Sequence, residues 1–270
     1  MDKTKELNKK TKKLTPQKRS RKKKSRPARI SPWWLLPAFF LLVLLILYPY
    51  IRSGRFATTG ASVPPNAQHF CLDVSHYNES IVWDSLKVVI DRKGRTSKDL
   101  LKARRILPLS HVIIKATEGE SMTDACFARY WQEAGDAGYS RGAYHFFRSS
   151  KSPAEQARNY IRTVTLRHSD LPPVLDVETM HRGCSREQLN AAVLEWLRIV
   201  EAHYGRKPLV YTSDSYARDI LSPEITSVYP MWIARYHAEP PRFEGWRLWQ
   251  FTDKAVLQGI EGYVDLSVIQ

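Results

Sequence analysis

The chain has 270 residues and a formal net charge of +15, but residues 1–29 hold fourteen Lys and Arg against Asp2 and Glu6, a net +12 that leaves +3 for everything after them. A folded part so mildly basic gives no reason to expect a nucleic-acid partner. Three cysteines, Cys71, Cys126 and Cys184, stand too far apart for a disulfide framework or a metal motif and leave only a single bridge open.

No charged residue follows Arg29 until Arg52. As a helix, residues 30–51 would rise about 33 Å, enough for a hydrocarbon core of about 30 Å. Trp33, Trp34, Tyr48 and Tyr50 sit at the ends of the run, where an aromatic belt belongs, and Pro37 lies close to its start. A cleaved signal peptide is the competing reading, with a cleavage site near residues 57–61. The apolar run exceeds the usual length of about 7–15 residues, however, and the basic leader is long. The sequence therefore predicts a signal anchor over residues 30–51. By the positive-inside rule, tail 1–29 would be cytoplasmic and the remainder periplasmic or extracellular. Residues 52–68, with Gly, Ser, Thr and the pair Pro64-Pro65, read as a linker. Residues 69–270 are long enough for one domain with a sizeable core.

Phe70–Val74 reads as a strand with Asp73 near its end, and residues 81–86 begin a second element that runs into a charged turn at 91–95. The spacing predicts a short basic helix over residues 97–106 and a β-branched strand over 111–116, closed by Thr117-Glu118-Gly119. Phe127, Tyr130, Trp131 and Ala134 form one stripe of a helix over 124–137, and residues 141–147 make the next strand. Ser152-Pro153-Ala154-Glu155 and Ser185 with Gln188 are helix-start signatures. Between those two helices, Pro172-Pro173-Val174-Leu175-Asp176-Val177-Glu178 reads as a buried strand. Its two acids, at i and i+2, lie about 7 Å apart on one face. A plain strand end running into a loop would carry the same string. Residues 208–212 are a strand, a short helix follows near 215–221, and then 231–236, 246–252 and 263–266 are strands without full helices between them.

Strands alternating with helices argue for an α/β fold with a parallel sheet, and about eight strands in about 200 residues fit a compact barrel better than an open sheet. No Gly-rich phosphate turn follows any strand. Barrel sites lie at the C-terminal strand ends, and Asp73, Glu118, Tyr144, Asp176, Glu178, Tyr211, Trp232, Tyr236, Gln250 and Asp265 all fall at or just past such ends. Acids clustered with aromatics suit chemistry on sugars. One carboxyl donates a proton to the leaving oxygen, negative charge supports a cationic transition state, and flat apolar faces seat the rings.

Seven segments in colinear order carry a resemblance: 72–76, 112–119, 142–147, 174–178, 232–236, 249–251 and 264–266. Together they resemble glycoside hydrolase family 25, the Chalaropsis-type lysozymes, over roughly residues 69–270. The resemblance implies an irregular TIM-like barrel of five βα units and three further strands, without a cofactor or a metal. It implies a muramidase that cleaves the β-1,4 bond between N-acetylmuramic acid and N-acetylglucosamine in peptidoglycan glycan strands. In it Glu178 is the general acid, Asp176 orients or stabilises, and Asp73 and Asp265 complete a ring of four acids. Tyr144, Tyr211, Trp232, Tyr236, Gln250 and Glu118 would contact substrate. Crowded carboxylates would hold Glu178 protonated, and the carboxylate separation decides between retention and inversion. Two departures stand out: Tyr77-Asn78 occupies a position where the family commonly has Trp-Gln, and the stretch 87–110 is longer than usual. Two rival readings are a peptidoglycan-binding protein that has lost activity on the same fold and a chitinase-type barrel hydrolase. His76 and His145 read as hydrogen-bonded wall residues rather than metal ligands, and Trp131 and Trp196 as core.

Overall fold

The computed structural model describes residues 35–52, 57–78 and 80–270. Helix α1, Leu35–Arg52, has 18 residues, a rise of about 27 Å against a hydrocarbon core of about 30 Å. Its Phe39, Phe40, Leu41, Leu42 and Leu45 side chains are exposed. Among the described residues no helix is long and apolar enough to cross a membrane. The helix expected to span begins at residue 30, and residues 30–34 lie outside the described residues, as does the basic tail 1–29.

The elements that follow are β1 (Thr59–Ser62), β2 (Phe70–Val74), β3 (Lys87–Asp91), β4 (Arg95–Ser97), β5 (Ala103–Pro108), β6 (His111–Glu118), β7 (Met122–Thr123), α2 (Phe127–Asp136) and β8 (Ser140–Phe146). After them come α3 (Pro153–Thr163), β9 (Val174–Asp176), α4 (Arg186–Tyr204), β10 (Leu209–Ser213), α5 (Asp214–Asp219), α6 (Pro223–Thr226), β11 (Met231–Ala234), β12 (Trp246–Ala255) and β13 (Val264–Ile269). Strands β2, β13, β12, β11, β10, β9, β8 and β6 are neighbours in that order, and a β2–β6 pairing closes the ring. Only β13 runs antiparallel to its ring neighbours, β12 and β2.

The period of two along each strand separates two packing layers. Leu72, Ile114, Leu175, Val210 and Ile233 belong to the core shared with the helices. Cys71, Ile113, Val174, Leu209, Tyr211 and Trp232 pack together inside the ring. Because Val174 faces in and Leu175 faces out, Asp176 must face in.

In α4, Ser185 and Gln188 close a reciprocal capping box, and the helix stops where Gly205 takes φ +65. Leu189, Val193, Trp196, Leu197 and Val200 are fully buried along one stripe. Each such side chain contributes roughly 1.5–3 kcal/mol and the cap about 1, so packing stabilises the helix and the cap sets its boundary. In α3 the Ser152 hydroxyl caps Glu155 N, but the Glu155 carboxylate pairs with Arg158 instead of closing a box.

Three expectations need correction. Residues 52–68 are not simply a linker, because β1 pairs with β4 at the edge of a four-stranded sheet, β1-β4-β3-β5. Residues 97–106 do not form a helix. Asp99 caps a single tight turn through Leu101 N at 3.0 Å, and the side chains of β5 then alternate between half-buried and exposed, the signature of a strand. The β2-to-β6 connection is therefore this sheet, so helices bridge four of the parallel connections rather than five. Finally, the strand expected over 172–178 is regular only from Val174 to Asp176, although Pro173 O and Val177 N still bond to the neighbouring strand, and Glu178 stands two residues past its end.

Candidate active site

Asp73 on β2 lies directly opposite Asp265 on β13 in the antiparallel ladder. Burial first, and then the charge of Asp265, push Asp73 well above the ordinary carboxylate range. Burial also raises Asp265, to about 6, while its hydrogen bond with Asp73 opposes the rise. Two carboxyls this close hold one proton between them more readily than two charges. Gln250 on β12 orients the pair, its Nε2 donating to Asp73 Oδ2 at 3.1 Å. Its Oε1 accepts from the Tyr211 and Tyr236 hydroxyls, each at 2.8 Å.

Asp176, at the end of β9, is buried, and its Oδ1 has no hydrogen-bond partner. Burial, then the neighbouring charge of Glu178, push its carboxyl well above the ordinary range, and Lys115 opposes the shift. Glu178 is also raised, by burial, while the neighbouring Tyr211 hydroxyl and the charge of Lys115 oppose the rise. Tyr144 is held up by burial and then by Asp176, Asp73 and Asp265, which places its hydroxyl among the acids.

Thus Asp73, Asp265, Asp176, Glu178, Tyr144, Tyr211, Tyr236 and Gln250 share one end of the barrel. Trp232 is 2 % exposed, donates to Ser267 Oγ at 2.9 Å and packs against the Tyr211 ring, so it forms floor beneath the acids. Glu118 is already engaged: Lys115 Nζ lies 2.7 Å from its Oε2, and Arg148 donates from Nε to its Oε1 at 2.9 Å. Both cations lie over the Phe146 ring.

Sequence reasoning did not single out Lys115 or Arg148. On a regular strand, residues 115 and 118 would face opposite ways, but the β6–β8 register shifts between Lys115 and Thr117, a bulge that returns Glu118 to the side of Lys115. A lysine inside an otherwise apolar strand was the available signal. His145 is fully buried between Thr117 Oγ1 at 2.7 Å and Gln156 Oε1 at 3.2 Å. Burial lowers its pKa to about 4, which leaves it neutral and structural. His76 Nδ1 meets Asp124 Oδ2 at 2.5 Å and holds the turn after β2. Among the described residues no group of three His, Cys, Asp or Glu could hold a metal ion. Cys71, Cys126 and Cys184 are free thiols.

Chemically, this arrangement presents carboxyls that burial raises above the ordinary range beside a buried acceptor oxygen, Asp176 Oδ1, that no protein group satisfies. Residues 72–260 match the family described as Glycosyl hydrolases family 25, a span that takes in Asp73, Asp176 and Glu178 and ends before Asp265. The chain is 36% identical to an uncharacterized protein, YegX, of Escherichia coli strain K12 over 87% of this chain and 88% of that protein. It is 27% identical to Lysozyme M1 of Streptomyces globisporus over 72% of this chain and 65% of that protein. Among solved structures, the bacterial lysozyme from Streptomyces coelicolor superposes with a TM-score of 0.64 at 25% identity, covering 76% of this chain and 93% of that chain.

Proposed function

Since the chain belongs to glycosyl hydrolases family 25 and is a glycoside hydrolase of the lysozyme type, we propose that it cleaves the β-1,4 bond between N-acetylmuramic acid and N-acetylglucosamine in peptidoglycan, with Glu178 as proton donor and Asp176 as its charge partner. The observation that carries this reading is the buried, unpartnered Oδ1 of Asp176, two residues from a carboxyl that burial raises above the ordinary range. In the free protein, burial pushes both carboxyls up, and the charge of Glu178 adds to the rise at Asp176. An N–H donor on Oδ1, such as the substrate's N-acetyl group offers, favours the charged form of Asp176 and moves the pair's single proton toward Glu178.

Glu178 then gives that proton to the glycosidic oxygen as the bond to the anomeric carbon breaks. Positive charge develops on the sugar, and the Asp176 carboxylate supports it either directly or by steadying the N-acetyl oxygen as it attacks. Water adds to the anomeric carbon, and its proton returns to the Glu178 carboxylate. Asp73 and Asp265 tune the electrostatics of the pocket, while Tyr144, Tyr211, Tyr236 and Gln250 line it for the sugar. Trp232 supports that wall from below, and Glu118, gripped by Lys115 and Arg148, fixes its cationic side.

The same reading places this domain outside the cytoplasmic membrane, periplasmic or extracellular, tethered by residues 30–51 with tail 1–29 inside. Support comes from the uncharged run, its aromatic ends and the twelve net positive charges before it. Digestion of purified peptidoglycan and analysis of the new reducing ends tests the chemistry. Reducing muramic acid is expected, and its absence across a range of pH and salt would overturn the reading. Retention of the full-length chain in alkali-washed membranes tests the tether.

A further inference from the structure

The β1-β4-β3-β5 sheet concentrates charge and exposed aliphatic surface in one place. Residues 87–105 hold eight Lys and Arg against Asp91 and Asp99, a net +6, whereas everything after residue 29 totals +3. Asp91 is occupied by Arg95 at 3.2 Å and Asp99 by Lys102 at 2.8 Å. The turn between β4 and β5 presents Leu101 at 94% exposure and Leu100 at 52%, and the Asp99 cap fixes it. Arg104 follows the two leucines, Lys102 beside them stays exposed while paired with Asp99, and Lys98 is half-buried near Glu261.

The turn is also tied to the chain that leads from α1. The Thr58 carbonyl accepts from Lys98 N at 2.9 Å and from Ser97 Oγ at 3.2 Å. Only residues 53–57 separate Arg52 from Thr58, a connection that reaches at most about 21 Å. We propose that this leucine turn rests on an anionic lipid bilayer, the leucines entering the headgroup region and the neighbouring cations meeting phosphate groups. The proposal rests on the reading of residues 30–51 as an anchor. Adjacent exposed leucines offer nothing to a hydrated glycan, whereas aliphatic side chains beside exposed cations match an anionic lipid surface in both respects. Such a contact would give the tethered barrel a second point of support and orient it on the membrane.

The test uses the full-length chain reconstituted in vesicles of phosphatidylcholine alone, or of phosphatidylcholine with phosphatidylglycerol, and follows backbone hydrogen exchange. Exchange over residues 98–106 should slow at least about fivefold in the anionic vesicles. The slowing should vanish with Leu100→Ser and Leu101→Ser together, at unchanged hydrolysis of soluble glycan fragments. Equal exchange in the two lipids would overturn the proposal, as would slowing caused by peptidoglycan and not by lipid. Alkaline extraction of the same vesicles reports on the anchor separately. If the chain washes out, the anchor reading fails, and exchange of the protein added to preformed anionic vesicles decides the leucine turn alone.

Discussion

Gln250 donates from Nε2 to Oδ2 of Asp73 at 3.1 Å, and the amide has no freedom to do otherwise. Its Oε1 is taken by the hydroxyls of Tyr211 and Tyr236, so the NH2 group must face the carboxyl. An acceptor is therefore required at Oδ2, and the proton shared by Asp73 and Asp265 is left to the other oxygen of Asp73. One amide thus sets the polarity of a pair of acids that the ladder places opposite each other.

Replacing that amide should disturb catalysis more than folding. Gln250→Met keeps the length and removes both functions, and Gln250→Glu sets an acceptor against an acceptor. Asp73 carries the shared proton, so this bond joins neutral groups and is worth about 0.5–1.5 kcal/mol, which corresponds to a fall in kcat of roughly 2–10-fold. Glycan-digestion rates measured beside circular dichroism check this. A folded Gln250→Glu protein with the parent rate would remove the amide from the mechanism.

Glu178→Gln should lower kcat by at least about a thousandfold, in the range for loss of a general acid, while the cooperative thermal transition persists. Asp176→Asn should also lower kcat strongly, but with a distinct pH profile of kcat, because in the substrate complex, where the N–H donor leaves Asp176 charged, Glu178 then titrates without that neighbour. Removing that neighbour lowers the Glu178 pKa, so the alkaline limb of any residual activity should move to lower pH. A limb that stays in place, or moves upward, would contradict the coupling.

Asp265 makes a prediction about stability. Its carboxyl is raised from an ordinary 3.8 to about 6. Between those values the folded protein holds a proton that the unfolded chain has released. The group's contribution is therefore complete below the lower value and is lost as pH rises through the upper one. Asp265→Asn should leave stability unchanged near pH 3.5 and raise it by roughly 3 kcal/mol above pH 7. Urea unfolding across this range measures the difference. Equal gains at both ends would mean that packing, not titration, is responsible.

The sequence made the site more legible than its scaffold. Strand ends carrying Asp73 and Asp176 follow from period-two patterning, whereas Asp265, expected at the C-terminal end of its strand, lies at the start of β13 and reaches the same end of the ring because that strand runs antiparallel. The grip of Lys115 and Arg148 on Glu118 depends on a bulge, which no spacing rule announces. The four-stranded sheet was concealed for a different reason. Residues 97–106 are rich in Leu, Lys and Arg, all good helix formers. Long-range pairing of β5 with β3 along Lys87–Asp91 overrides that preference. The anchor was read from hydropathy, a property of residues 30–51 as a run, and the structure describes only part of that run.

Gly60 tests whether the segment after α1 is an integral part of the fold. Read from composition, residues 52–68 would tolerate almost any substitution. In the structure, a Cβ on Gly60 would meet Lys254 O at 2.4 Å and Val256 N at 2.7 Å, both backbone atoms at the end of β12. The backbone cannot swing away as a flexible side chain would, because Val256 N also donates to Thr96 Oγ1 at 3.1 Å and joins the sheet to the barrel. Gly60→Ala should therefore destabilise by about 1–3 kcal/mol, with detachment of β1 as the alternative route to relief. Gly183→Ala is the control, since the nearest atom to its added Cβ is His181 Nδ1 at 3.7 Å. Thermal unfolding of the two variants separates the cases. A Gly60→Ala protein as stable as its parent would mean that β1 can leave the sheet without cost, and residues 52–68 would then be a linker after all.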